Sequence, residues 1–249
     1  SLAGVVDKLP LTGTANLHGS VDGTLTQPHF SCEFTATDGQ VLQQPFAKAQ
    51  GQLEATPELL RLNQVVLSHG AGSHEINGSL GLSGDRPVNL HILSRQVRAE
   101  NLVDWLLPGE KLTGNVDNEV WVTGPLSNYN LEGTLRLTEG SFRGQLIARA
   151  EGRYQRNQGV TTIQDFMIDS LNTKISVTGT VSAADRLDFA IVAKDIDLGK
   201  LHVNFPYPVS GQANFAGKLT GTVEQPLFDG DLAAERLSFN GQDLSAVSA

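Results

Sequence analysis

The sequence predicts an all-β chain folded as one long antiparallel sheet of repeated units. Three observations predict it: apolar residues that alternate with polar ones, turn residues that recur about every ten positions, and an internal repeat of about one hundred residues. Phe30, Cys32, Phe34 and Ala36 share one parity, while His29, Ser31, Glu33, Thr35 and Thr37 take the other. Leu131, Leu135 and Leu137 alternate in the same way with Glu132, Thr134 and Arg136, and so do Val88, Leu90 and Ile92, then Leu187, Phe189 and Ile191, then Phe215, Leu219 and Val223. A period of two is the signature of strands with one apolar and one wet face. Asp38-Gly39, Ser83-Gly84-Asp85 and Gly230-Asp231 are read as turns of an antiparallel meander, with strands of six to eight residues spanning about 20–26 Å.

The repeat is visible in three aligned segments: Leu17 to Phe30, Asn118 to Leu131 and Phe215 to Phe228. They superpose Gly23, Gly124 and Gly221, which stand 101 and 97 residues apart. Between the first two copies the spacing of 101 holds for Pro45 to Glu54 over Leu146 to Gln155, and for Glu75 to Leu80 over Ser176 to Val181. Residues 1–113 thus form a first unit, 114–210 a second and 211–249 the start of a third, in one continuous sheet. Asn77-Gly78 has the composition of a hairpin turn. It aligns with Thr178-Gly179 inside an alternating run, so both glycines are placed mid-strand where backbones approach closely. Gly23, Gly124 and Gly221 are read the same way. Asn101 to Pro108 is expected to be a short helix, N-capped by Asn101 and ended by Pro108-Gly109, that covers the apolar face at the end of its unit; Leu198 to Val203 is its shorter counterpart.

The formal net charge of −9 argues against a nucleic-acid partner and against docking on anionic membrane surfaces, both of which rely on cations. With 39% hydrophobic residues the chain can build a fold. No run approaches the ~18 apolar residues of a membrane span. The opening Ser1-Leu2-Ala3 carries neither Met nor a signal pattern, so the chain is read as a segment of a longer protein with its anchors elsewhere. Cys32, the single cysteine, has no intramolecular disulfide partner.

The strand, the G-x-L-x-x-P/N segment, the alternating run, the glycine-containing strand and the L-x-x-L-L-P helix, in that order, resemble the repeats of TamB and its AsmA-like relatives. The resemblance covers nearly the whole chain. It implies a sheet curled into a U-shaped trough (a β-taco) with an apolar inner face. It also implies a periplasmic segment of an inner-membrane-anchored envelope protein, and an outer-membrane barrel partner of the TamA kind met through parts outside this chain.

No nucleophile motif is present. His69 and His74, framing His-Gly-Ala-Gly-Ser-His, could be imagined as metal ligands but are read as a polar loop, because no third ligand is spaced to complete a site. Asp195 with Asp197, at i and i+2 on one strand face, and Asp165 with Asp169 suggest the paired carboxylates of a sugar-cleaving solenoid, but an outer wet face explains them equally well. Trp105, Trp121, Tyr129, Tyr154 and Tyr207 are too scattered for a sugar platform. The chain is therefore read as no enzyme, with no catalytic residue, metal or cofactor assigned. The inward aliphatics could fill a closed core or line an open trough that shelters phospholipid acyl chains, and the resemblance puts the trough ahead. Its candidate lining is Phe30, Phe34, Leu62, Leu67, Leu90, Ile92, Leu135, Leu137, Ile168, Phe189, Ile191, Phe215 and Leu219, with His91 on the outer face. The expected function is transfer of phospholipids between inner and outer membranes. The alternative is a scaffold for outer-membrane protein assembly whose sheet edges pair with unfolded segments.

Overall fold

A computed structural model of the chain describes residues 11–41, 44–100, 111–142, 144–170, 173–200 and 208–248. Fifteen strands form one antiparallel sheet in which spatial order follows chain order. They are β1 (Leu11–Gly23), β2 (Pro28–Val41), β3 (Gln44–Ala55), β4 (Leu59–His69), β5 (Gly72–Gly81), β6 (Pro87–Arg98), β7 (Leu112–Pro125) and β8 (Asn130–Phe142). The series continues with β9 (Gln145–Asn157), β10 (Val160–Ser170), β11 (Thr173–Val181), β12 (Leu187–Asp197), β13 (Val209–Gly221), β14 (Pro226–Phe239) and β15 (Gln242–Ser248). The sheet is open: β1 and β15 each pair on one side among the described residues. No helix among those residues is long and apolar enough to cross a membrane. Contacts divide the chain into two compact units, Ser1–Asn101 with Val116–Gly133, and Leu102–Asn115 with Thr134–Ala249.

The all-β meander follows the alternation, but the strands are longer than the turn signals imply. Most run 10 to 14 residues, about 33–46 Å at ~3.3 Å per residue. Asp38-Gly39 lies inside β2 and Gly230-Asp231 inside β14. Neither is a turn. At Asp38 the backbone takes φ 51° and the residue is passed over by the pairings on both sides, an irregularity that lets a turn-forming residue sit mid-strand. Ser83-Gly84-Asp85 does form a turn, with Arg86 N–H donating to Ser83 O.

The hundred-residue repeat is written into the backbone. Left-handed residues recur at Asp38 and Glu139, and at Gln64 and Asp165; Gly13, Gly114 and Gly211 recur at φ 125°, 127° and 131°. Gly78 and Gly179 sit mid-strand as expected, at φ 132° and 156°. A Cβ on Gly78 would come within 2.0 Å of Asn89 O. Gly23 and Gly221 instead end their strands, and Gly124 precedes the last residue of β7, at φ 88°, 87° and 94°. They turn the chain out of the ladder rather than bend it mid-strand; after Gly23 the tight loop closes with Thr24 and Gln27 exchanging backbone hydrogen bonds.

The expected helix at Asn101 to Pro108 lies outside the described residues. Its counterpart begins as a single 3-10 turn, Leu198–Lys200. Leu198 is buried with Ala213 and Ala234, and Ile196, Val209, Leu232 and Leu237 pack around them.

Candidate apolar ligand surface

Residues directly opposite in an antiparallel ladder share a face, so the registers give the surface row by row. In the first unit, one row runs Val21, Phe30, Ala55, Leu60, Leu80 and Val88 across β1 to β6. The next holds Cys32, Leu53, Leu62, Gly78 and Leu90; a third holds Leu17, Phe34, Gly51, Val65, Ile76 and Ile92. A fourth holds Ala36, Ala49, Leu67, His74 and Ser94. Phe30, Phe34, Leu62, Leu67, Leu90 and Ile92 are thereby brought to one face.

Leu62 and Leu67 differ in parity, and strict alternation would send them to opposite faces. A bulge resolves this. The register slips between Leu62 and Val65, with Gln64 at φ 50°, so even residues before it and odd residues after it share a side. The same device recurs between Ile163 and Phe166, with Asp165 at φ 47°.

In the second unit, Ala150, Ile168, Ile175, Ala193, Phe215 and Leu232 form one row. Phe166, Val177, Ile191 and Gly217 form another, and Tyr154, Ile163, Gly179, Phe189, Leu219 and Phe228 a third. Phe228 stacks on Phe215, ring centroids 4.9 Å apart. Leu135 and Leu137 flank Arg136, which reaches Glu151 on the opposite face, so alternation puts them on the apolar side. All seven candidates of this unit lie on one face.

Twelve of the thirteen candidates are half-buried. Leu137 is buried, 4% exposed, because it lies over Gly114 and Gly140, where a Cβ would come within 2.9 and 3.0 Å of its methyls. No large side chain among the described residues is completely buried. The apolar face is therefore neither a filled interior nor a set of isolated side chains. Smaller residues of the same rows, Cys32, Val65 and Val88 among them, are buried between the larger half-exposed ones.

The opposite face is wet and ionic. Glu33 accepts from Gln52, and Arg149 and Arg153 bind Glu151 and Asp165. Arg149 and Arg136 hold the Glu151 carboxyl below its ordinary range, chiefly through the Arg149 hydrogen bond. His91 is outward, as expected: its Nε2 lies 2.9 Å from Glu119 Oε1 and its ring stacks on Trp121 at 4.7 Å. Met167 and Val192 are exposed apolar residues of this same wet face.

The carboxylate candidates separate. Asp195 is a bulge residue at φ 59° whose N–H donates to Asn214 Oδ1, so i, i+2 spacing no longer guarantees a shared face. The Asp197 carboxylate is engaged by Lys200 and by Gly199 N–H, the Lys200 hydrogen bond first among the causes that lower its pKa. His69 ends β4 and is exposed, but His74 is no loop residue: it sits within β5 on the apolar face, its Nδ1 2.8 Å from Ser94 Oγ. Burial lowers its pKa. Burial likewise raises the pKa of the Cys32 thiol, against a smaller opposite effect of the Leu53 backbone. Among the described residues no three His, Cys, Asp or Glu are grouped to hold a metal ion.

Sequence reading misses Leu53, Leu60, Val65, Ile76, Phe166 and Val177, which the same rows place beside the candidates. The bulges at Gln64 and Asp165 hide the parity of Val65 and Phe166, whereas Val177 belongs to an alternating run, Ile175, Val177 and Val181, outside the candidate lining. No family model, curated protein or solved structure matches the chain.

Proposed function

We propose that this chain is a periplasmic segment of an inner-membrane-anchored envelope protein of the TamB and AsmA-like kind, whose apolar face carries phospholipid acyl chains between the two membranes. The observation that carries the reading is the set of apolar rows, such as Ala150, Ile168, Ile175, Ala193, Phe215 and Leu232, that run across neighbouring strands on one face with most of their large side chains half-exposed. From β9 to β14 those strands extend about 24 Å at ~4.8 Å spacing, against ~15 Å for the hydrocarbon of one leaflet. Each Å² of acyl chain covered by such a face is favoured over water by about 25 cal/mol. The transfer step is binding and sliding, with no covalent chemistry. The TamB-like order of motifs supports the same reading, with a sheet curled into a trough and a barrel partner met through other parts of the protein.

Native mass spectrometry of the purified chain tests this. Phospholipid should co-purify with the wild type and be lost from Leu90→Arg and Phe189→Arg, with circular dichroism showing the strands intact. A wild-type chain free of lipid and unable to take it up from vesicles refutes the reading.

One observation favours the scaffold alternative. Leu17 and Val21 of β1 are 63% and 70% exposed, and β1 pairs only with β2 among the described residues, so its outer edge offers main-chain groups for strand addition. Such a scaffold keeps its function in Leu90→Arg and Phe189→Arg; a lipid conduit loses it.

A further inference from the structure

The fourth row of the apolar face is where the two repeats part. Ala150, Ile168, Ile175 and Ala193 are apolar throughout in the second unit. The matching positions of the first unit are Ala49, Leu67, His74 and Ser94. The ladder does not require polar side chains there, since Ile175 and Ala193 fill the same places. A half-buried imidazole and a buried hydroxyl, Ser94 being 5% exposed, cost stability that an Ile and an Ala do not.

Their mutual hydrogen bond at 2.8 Å uses Nδ1 and leaves the chemistry of the ring's other nitrogen, Nε2, for a further group. Burial lowers the pKa of the ring and so favours its neutral form. In the tautomer in which the Ser94 hydroxyl donates to Nδ1, the ring proton sits on Nε2, which is then a donor. His74 lines a cleft of about 20 Å³ with Leu67, Val97, His69 and Arg98. That volume admits one water-sized group. Arg98 gives one Nη2–H to Glu100 at 2.7 Å and keeps further donors. Its counterpart in the second unit is the anionic Asp197. Arg98 follows the buried Val97 and so turns to the wet side, where Glu100 holds it, which leaves the His74–Ser94 pair as the polar feature that marks only the first unit's row.

We infer that the His74–Ser94 pair is a polar anchor that takes a phosphate oxygen of an amphiphile whose chains lie on the apolar rows beside it. The inference rests on the acyl-binding reading above. It adds that the face is not uniform along its length: phosphate-bearing lipids are held at the first unit and only their chains at the second.

The test is titration of the whole chain, followed by NMR of the 15N-labelled imidazole of His74, with three probes below any micelle concentration. These are dihexanoyl phosphatidylglycerol, dihexanoylglycerol and inorganic phosphate. The phospholipid should shift the His74 Nε2 resonance and bind about tenfold more tightly than the diacylglycerol, the scale of one hydrogen bond to a charged group. His74→Ile with Ser94→Ala, the pair the second unit already carries, should keep diacylglycerol binding and lose that preference; Ser94→Ala alone should reduce it with the ring retained. Equal binding of the two lipids by the wild type, or an undiminished preference in both variants, overturns the anchor alone. An equal His74 response to inorganic phosphate overturns the lipid headgroup as its source in favour of free phosphate. Failure of both lipids to bind overturns the acyl reading beneath it.

Discussion

The backbone N–H of Gln64 donates to the side-chain Oδ1 of Asn77 across the β4–β5 ladder at 2.7 Å. This bond closes the bulge that puts Leu62 and Leu67 on one face. A bulge leaves a main-chain group without its ladder partner, and a neighbouring side chain has to satisfy it. The same solution appears at Gln96, whose N–H donates to Asp117 Oδ1 at 2.8 Å, and at Asp195 with Asn214 at 3.1 Å. A short polar acceptor on the next strand is thus the recurring means by which the apolar rows stay continuous through a change of parity.

Asn77→Ala should accordingly destabilise the chain by about 1 kcal/mol, the net worth of a hydrogen bond, whereas Asn77→Asp, made with Glu75→Gln because Asn77 Nδ2 donates to Glu75 at 3.1 Å, keeps the acceptor and should lose less. Urea unfolding followed by circular dichroism measures both. Equal losses would show that the acceptor is not what holds the bulge.

Two glycines with positive φ should behave differently when replaced by alanine. At Gly78 the new methyl meets backbone, Asn89 O at 2.0 Å, and φ is 132°; the cost should be about 4 kcal/mol or more. At Gly70 there is open space and φ is 59°, so only the left-handed conformation is penalised, by about 1–2 kcal/mol. The unfolding midpoints of Gly78→Ala and Gly70→Ala give the comparison, and similar values would contradict the close approach of β5 and β6.

Much of this was legible in the sequence for a definite reason. Alternation is a local property, and it marked Phe30 with Phe34, Leu90 with Ile92 and Phe189 with Ile191 correctly because no bulge intervenes within those pairs. The match of Gly78 with Gly179 placed both mid-strand against the local hairpin signal of Asn77-Gly78. Turn residues misled where a left-handed residue is absorbed into a strand, as at Asp38. His74 was hidden because its loop-like neighbours, Gly70 to Gly72, outweigh a single histidine whose Ser94 partner is 20 positions away. Pairings of that kind exist only once the register is known.

His74 also makes stability depend on pH. Its pKa is lowered from 6.5 in the fold because burial penalises the charged ring, so the unfolded chain takes up the proton first. The stability associated with the neutral ring is complete above 6.5 and is lost as pH falls from there through the folded value. His74→Ile removes the proton-binding group. The wild type should lose stability relative to this variant between pH 7.5 and 5.5, measured by chemical unfolding at each pH; a pH-independent difference would contradict the burial of the ring.

The central claim is that one face of the sheet, and not apolar character as such, receives hydrocarbon chains. Phe189 and Val192 decide it: three residues apart on β12, they lie on opposite faces, and Val192 is apolar and 40% exposed. A photo-reactive phenylalanine analogue placed at each position in turn, irradiated with phospholipid vesicles and analysed by mass spectrometry, should give a lipid adduct at Phe189 and none at Val192. Equal labelling at the two positions, or labelling at Val192 alone, would contradict the account.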